Sequence, residues 1–136
     1  MEYEEIKVPP GKDLLNLLFD KYKLSSKSLS KITGVPEDII TNYAKGELED
    51  FAIPRELIFR INLLTLSMEA EEEDGRVRGV IRVLMAHYDI SIETLALYAK
   101  VEPAEITKFL AGDHSISIET RYKIGVTVLF LHFICK

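Results

Sequence analysis

Histidine, cysteine and glycine-lysine pairs are the residue types that most often mark a chemical centre. In this chain they fall too far apart to build one. His87, His114 and His132 share no metal-binding spacing such as i, i+4 on one helix. No carboxylate or cysteine cluster accompanies them for general-base work, and His114 reads as an exposed loop residue that could at most touch a phosphate. Cys135 is the single cysteine, which excludes an internal disulfide framework and a cysteine-rich zinc site. Beside Phe133 and Ile134 it reads as a small hydrophobe. Gly11-Lys12 and Gly75 lack the context of a phosphate-binding loop. No nucleophile–base pair, metal cluster or cofactor loop can be assembled, so the expectation is a protein that is not an enzyme and uses no cofactor or metal.

Composition narrows the class. The chain has 136 residues, enough for one compact domain or two small ones, with 47% hydrophobic and 29% charged residues. A formal net charge of −5 argues against a histone-like protein that coats nucleic acid by bulk positive charge. The N-terminal stretch MEYEEIKVPPGKD is acidic and lacks the basic and apolar runs of a signal peptide. The apolar run Val126 to Cys135 includes Thr127 and His132 and is shorter than the ~20 residues that cross a bilayer. A reducing, cytoplasmic setting with no membrane contact is expected. The acidity is concentrated: Glu69 to Arg76 carries five acidic residues and one basic, net −4, between two nearly neutral blocks. Clustered like charges ending in Gly75 read as a solvated helix end or hinge.

The elements that would position any site repeat along the chain. Shifted by 66 residues, Leu14–Gly46 falls on Val80–Gly112 without a gap. Leu18, Tyr22, Ser25, Leu29, Val35, Ile40, Thr41 and Gly46 meet identical residues in the second segment. Past the glycine the register slips, as if the first copy had a loop three residues longer. Leu14, Leu15, Leu17, Leu18 and Tyr22 follow one helical face, as do Val80, Ile81, Val83, Leu84 and Tyr88. Ser25 and Ser91 are suited to cap a short second helix. Pro36 and Pro103 permit a third helix, which Gly46 and Gly112 can end in a left-handed C-cap. A longer last helix follows, from Pro54 to about Met68 and from Ser117 to about Phe133. Alternating β patterns are scarce, so the expected fold class is all-α.

A short helix, a tight turn and a second short helix closed by glycine make a helix-turn-helix unit. The first copy resembles the Cro/C1-type (lambda repressor-like) helix-turn-helix family. Leu24 to Val35 is similar to that family's second helix and turn, and Pro36 to Gly46 to its recognition helix, with Ile40 and Tyr43 as inward anchors. The second copy matches more loosely through Ile90, Ser91, Leu95, Ala96, Val101, Ile106, Phe109 and Gly112. The resemblance implies a DNA-binding regulator. It puts Ser26 and Lys27 near backbone phosphate, and makes Glu37, Asp38, Thr41, Asn42 and Lys45 the outward face of the recognition helix. Thr41 and Asn42 have the chemistry to read base edges, and Lys27, Lys31 and Lys45 that to neutralise phosphates. In the second copy Thr107 and Lys108 are the candidates. The departures are Ser26 where the family usually has glutamine, Ser30 where it usually has alanine, and Lys100 at the second turn glycine. Glu37 and Asp38 suit the positive end of a helix yet would face a polyanion.

The expected organisation is an N-terminal arm at 1–12, one helix-turn-helix copy at 13–68, an acidic hinge at 69–76 and a second copy at 77–136. The last helices are apolar almost all round: Leu57, Ile58, Ile61, Leu64, Leu66 and Met68 leave Phe59 and Leu63 on another side, and Val126 to Ile134 is nearly all apolar. A copy of about 50 residues covers only one face of such a helix, so a second cover is required. The expected cover is the last helix of the sister copy, with a homodimer through the C-terminal helix as the other source. Double-stranded DNA read mainly by the first copy is the expected partner. The rival is an interaction module, an antirepressor or adaptor, whose acidic surfaces meet a protein partner.

Overall fold

The computed structural model describes residues 10–136 and is helical throughout, without strands among the described residues. It divides into two units, Met1–Ala70 and Glu71–Lys136. The expected N-terminal arm lies outside the described residues up to position 9, and its last two positions, Gly11 and Lys12, open the first helix instead.

In unit 1, α1 (Gly11–Asp20) is followed by α2 (Ser26–Thr33), α3 (Glu37–Ala44), a short 3₁₀ turn (Asp50–Ala52) and α4 (Arg55–Asn62). The helix then widens into a π-helical turn, Leu63–Ser67, before α5 (Met68–Ala70). Leu14, Leu15, Leu18, Leu29, Val35, Ile40, Tyr43, Ile53, Leu57 and Ile61 form one buried cluster. The wider turn rotates the register, so Thr65 points inward and donates its hydroxyl to the Ile61 carbonyl at 2.7 Å. Leu66 and Met68, expected on the same face as Ile61, are therefore exposed.

In unit 2, α6 (Glu73–Tyr88), α7 (Ile92–Ala99), α8 (Pro103–Leu110) and α9 (Ile118–Cys135) surround Ile81, Leu84, Leu95, Ala96, Ile106, Phe109, Ile116, Ile124 and Val128. The acidic run opens α6, which passes through Gly75 without a break. Glu73 and Asp74 occupy its first turn, where carboxylates complement the positive helix end. Arg78 pairs with Glu72 at 2.9 Å and Arg121 with Asp74 at 3.3 Å.

The spacing of 66 residues recurs in the backbone. The bounds of α7 and α8 lie 66 residues beyond those of α2 and α3. Ser25 accepts from the Ser28 amide and Ser91 from the Thr94 amide, each capping its helix. The described residues with positive φ pair at the same spacing: Lys23 with Asp89, Gly34 with Lys100, and Gly46 with Gly112. Unit 1's extra 3₁₀ turn takes up the three added loop residues, and Ile53 and Ile61 then occupy buried places like those of Ile116 and Ile124.

Each closing helix buries one face in its own unit and leaves the other bare. Leu57 and Ile61 are buried while Phe59 and Leu63 are exposed. Ile124 and Val128 are buried while Leu129, Phe130 and Phe133 are exposed. Neither unit by itself supplies the second cover that the sequence requires.

Candidate nucleic-acid interface

The corner between α2 and α3 is built by its turn. Ser25 caps α2, and Gly34 ends it at φ 74°, a left-handed conformation that glycine adopts without a Cβ penalty. The Ser30 hydroxyl donates to the Val35 carbonyl at 2.7 Å, and the Val35 amide donates to the Thr33 hydroxyl at 3.2 Å. Side chains thus satisfy the backbone where the helix stops. Pro36 precedes α3, whose inward residues Ile40 and Tyr43 are buried as anchors.

Tyr43 reaches further than a packing residue must. Its hydroxyl donates to Asp50 at 2.7 Å, and burial together with that bond pushes its phenol well above the ordinary value. The ring passes over Gly11, where any Cβ would collide with the hydroxyl. Asn16 on α1 donates to the Ala44 carbonyl at 3.0 Å and so ties α1 to the end of α3.

The face this frame presents contains all the residues anticipated for DNA contact in the first copy. Lys27, Lys31, Glu37, Asp38 and Lys45 are exposed, and Ser26, Thr41 and Asn42 are half-buried. Ser26, Thr41 and Lys45 share a cleft of about 350 Å³ with Asn16, Phe19 and Ala44. Two hydroxyls are already committed: Ser26 donates to the Glu37 carboxylate at 2.7 Å, and Thr41 to the Glu37 carbonyl at 2.9 Å. Glu37 is thereby held by the residue expected near phosphate, a link that the spacing of 11 residues between them did not announce. Lys27, Lys31 and Lys45 take part in no ion pair among the described residues.

Sequence reasoning placed Lys12 in the arm and missed its position here. Its ammonium and side-chain carbons lie beside Gly46, at the negative end of α3. The signal available was its i, i+4 relation to Asn16, which bonds both the Lys12 and Ala44 carbonyls.

In unit 2 the matching corner has Thr107 and Lys108 exposed on α8, as expected, but little around them to serve a polyanion. Glu93 and Leu97 stand where unit 1 has Lys27 and Lys31, and Ala111 where it has Lys45. Leu97 and Tyr98 are exposed on α7. The turn residue Lys100 adopts φ 59°, ψ 47°, a region that costs a residue with a Cβ about 1 kcal/mol. His87 and His114 are exposed and His132 is half-buried, and no group of ligands able to hold a metal ion exists among the described residues. No helix among the described residues is long and apolar enough to cross a membrane.

No curated protein and no solved structure is similar enough to this chain to count as a match. A family model described as a helix-turn-helix domain matches residues 8–136, running through both units. Turn, anchors and exposed third-helix face agree with that match, and the protein belongs to the helix-turn-helix domain family, a membership that points to a DNA-binding regulator rather than an enzyme.

Proposed function

We propose that the protein is a small cytoplasmic transcription regulator of the Cro/C1 type that reads double-stranded DNA through α2 and α3 of unit 1. The observation that carries this reading is the α3 face: Thr41, Asn42 and Lys45 outward, with the unpaired Lys27 and Lys31 alongside on α2. A helix of this kind fits the major groove, where asparagine pairs bidentately with adenine and a threonine methyl can meet that of thymine. Glu37, held by Ser26, and Asp38 have the acceptors to take a hydrogen bond from a cytosine amino group. Unit 2 is a degenerate copy of the same bundle, a view supported by the shared 66-residue spacing of helix bounds and positive-φ residues. One head neutralises too few phosphates for specific binding, so the active species is a homodimer displaying two unit 1 heads.

Retention on duplex DNA at low salt, followed by selection of bound sequences from a random pool, tests this directly. Three phosphate-directed lysines per head predict a salt slope of about −3 per head. The double change Asn42→Ala, Lys45→Ala should abolish selective retention without altering helical content. Absence of retention by the unmodified protein on random and native upstream DNA alike would overturn the reading. The charge of the α3 tip favours a second reading in that event: with Glu37 and Asp38 exposed, the protein would act as an adaptor or antirepressor for a basic protein partner.

A further inference from the structure

The outer face of α9 carries a ridge of residues four apart: Ile118, Tyr122, Val126, Phe130 and Ile134, each between 47% and 77% exposed. Leu129 and Phe133 widen it, and with Val126 and Phe130 they frame an apolar hollow of about 500 Å³. The Phe130 and Phe133 rings stack with centroids 6.4 Å apart. Ile124 and Val128 hold the opposite face in the core of unit 2, so the ridge is presented on a supported helix.

Size and symmetry together say what covers it. Given the side-chain areas involved, the seven residues expose on the order of 1,000 Å². Monomers rarely leave an apolar patch of more than a few hundred square ångströms, and a stable interface needs about 800 Å² per partner. The ridge also reads the same in both directions from Val126: an aromatic ring four residues away on each side, an isoleucine eight away. A two-fold axis requires this of any surface that binds itself. Rows of residues four apart are the ridges used in the commonest class of helix crossing, at about −50°. A lipid surface would call for a polar face rich in Lys and Arg, whereas α9 carries Glu119 and has Arg121 engaged with Asp74.

We propose that α9 is the dimerisation helix, crossing the same helix of a second copy antiparallel about a two-fold axis at Val126. Tyr122 then meets the partner's Phe130, and Ile118 the partner's Ile134. This deepens the two-headed reading above and rests on it for its purpose, while its test needs no DNA.

Sedimentation of the full chain across micromolar concentrations should show a reversible monomer–dimer equilibrium. Val126→Glu or Phe130→Glu should raise the dimer Kd at least 100-fold with helical circular dichroism retained. Orientation is read by mild oxidation in a Cys135→Ala background. Val126→Cys, beside the axis, should form an intermolecular disulfide. Tyr122→Cys and Phe130→Cys should cross-link when mixed and much less alone. A chain that stays monomeric, as it would if the last helix of unit 1 covered the ridge, overturns the proposal. So does binding of phosphatidylglycerol-containing vesicles in place of dimerisation, a dimer indifferent to both glutamates, or Tyr122→Cys cross-linking to itself as well as Val126→Cys does. Low-salt DNA retention, run in parallel, separates the two outcomes. A dimer that ignores DNA sinks only the regulator reading, and a monomer that retains DNA sinks only this one.

Discussion

Position for position at the 66-residue spacing, the corner made by α2 and α3 is polar and the one made by α7 and α8 is apolar. Ser30 and Thr33, whose hydroxyls hold the first turn, become Ala96 and Ala99, both buried. Lys27 and Lys31 become Glu93 and the exposed Leu97. Gly34, at ease with positive φ, becomes Lys100, which is not. Tyr43 becomes Phe109, and Gly11, over which the tyrosine hydroxyl passes, becomes Val77. Core positions tolerate these exchanges because apolar volume stays apolar. Outward positions change charge and hydrogen-bonding capacity, which is where any difference in partner must originate.

The sharpest way to break the comparison is to disable each corner in turn. Asn42→Ala with Lys45→Ala should weaken binding to a selected duplex by 10- to 100-fold, measured by fluorescence anisotropy, since a bidentate base contact is worth about 1–3 kcal/mol. Thr107→Ala with Lys108→Ala should leave it unchanged within about twofold. An equal loss from both would mean that both corners read DNA.

Next in size is the Gly11–Tyr43 contact. Gly11→Val should destabilise the protein by about 2–3 kcal/mol in urea unfolding, because the added side chain collides with the Tyr43 ring and hydroxyl. In a Tyr43→Phe background the penalty should shrink, as it would for two residues that changed together. Additive penalties would show that the two positions are independent.

Turn strain follows. Lys100→Gly should raise stability by about 0.5–1 kcal/mol, and Gly34→Lys should lower it by about 1 kcal/mol, on relief and imposition of the same left-handed conformation. Equal and small effects of one sign would remove turn strain as a distinction between the units.

The smallest effect expected is a pH dependence confined to unit 1. Lys21 donates to Glu69 at 2.8 Å and Tyr22 to the same oxygen at 2.5 Å. The lysine bond first, and then the tyrosine bond, hold the Glu69 carboxyl below the usual range. A lowered carboxyl contributes stability above its unfolded pKa and loses it as pH falls through the folded value. The Tm should therefore drop slightly on acidification below the ordinary glutamate range, and Glu69→Gln should flatten that limb. The groups are fully exposed, so screening keeps the effect small. An unchanged acid limb in Glu69→Gln would remove the clamp from the account.

Local rules made the short helices legible. Ser25 and Ser91 before apolar-periodic runs, Pro36 and Pro103 at third-helix starts, and Gly46 and Gly112 at their ends gave α2, α3, α7 and α8 nearly to the residue. The longer loop of the first copy was visible as a slip in register. Legibility failed where two distant segments decide the geometry. Nothing local says that Ser26 will bond Glu37, that Lys12 will lie beside Gly46, or that Tyr43 requires Gly11. The start of α6 was misjudged because a run of carboxylates repels itself as a free chain, yet stabilises a helix once its amino end exists. Outward side chains such as Thr41 and Asn42 could be placed on a face from the helical period, because their inward neighbours Ile40 and Tyr43 are unmistakable.

The widened turn at Leu63–Ser67 acts on the chain as a built-in insertion. Removing one residue there would let ordinary helical geometry run through and would swing everything after it by about 100° around the axis. Glu69 would then leave Lys21 and Tyr22, and the direction in which the backbone departs from the first bundle would change with it. A single-codon deletion at this point would thus work as a rotation of the exit, leaving the core composition of unit 1 almost untouched.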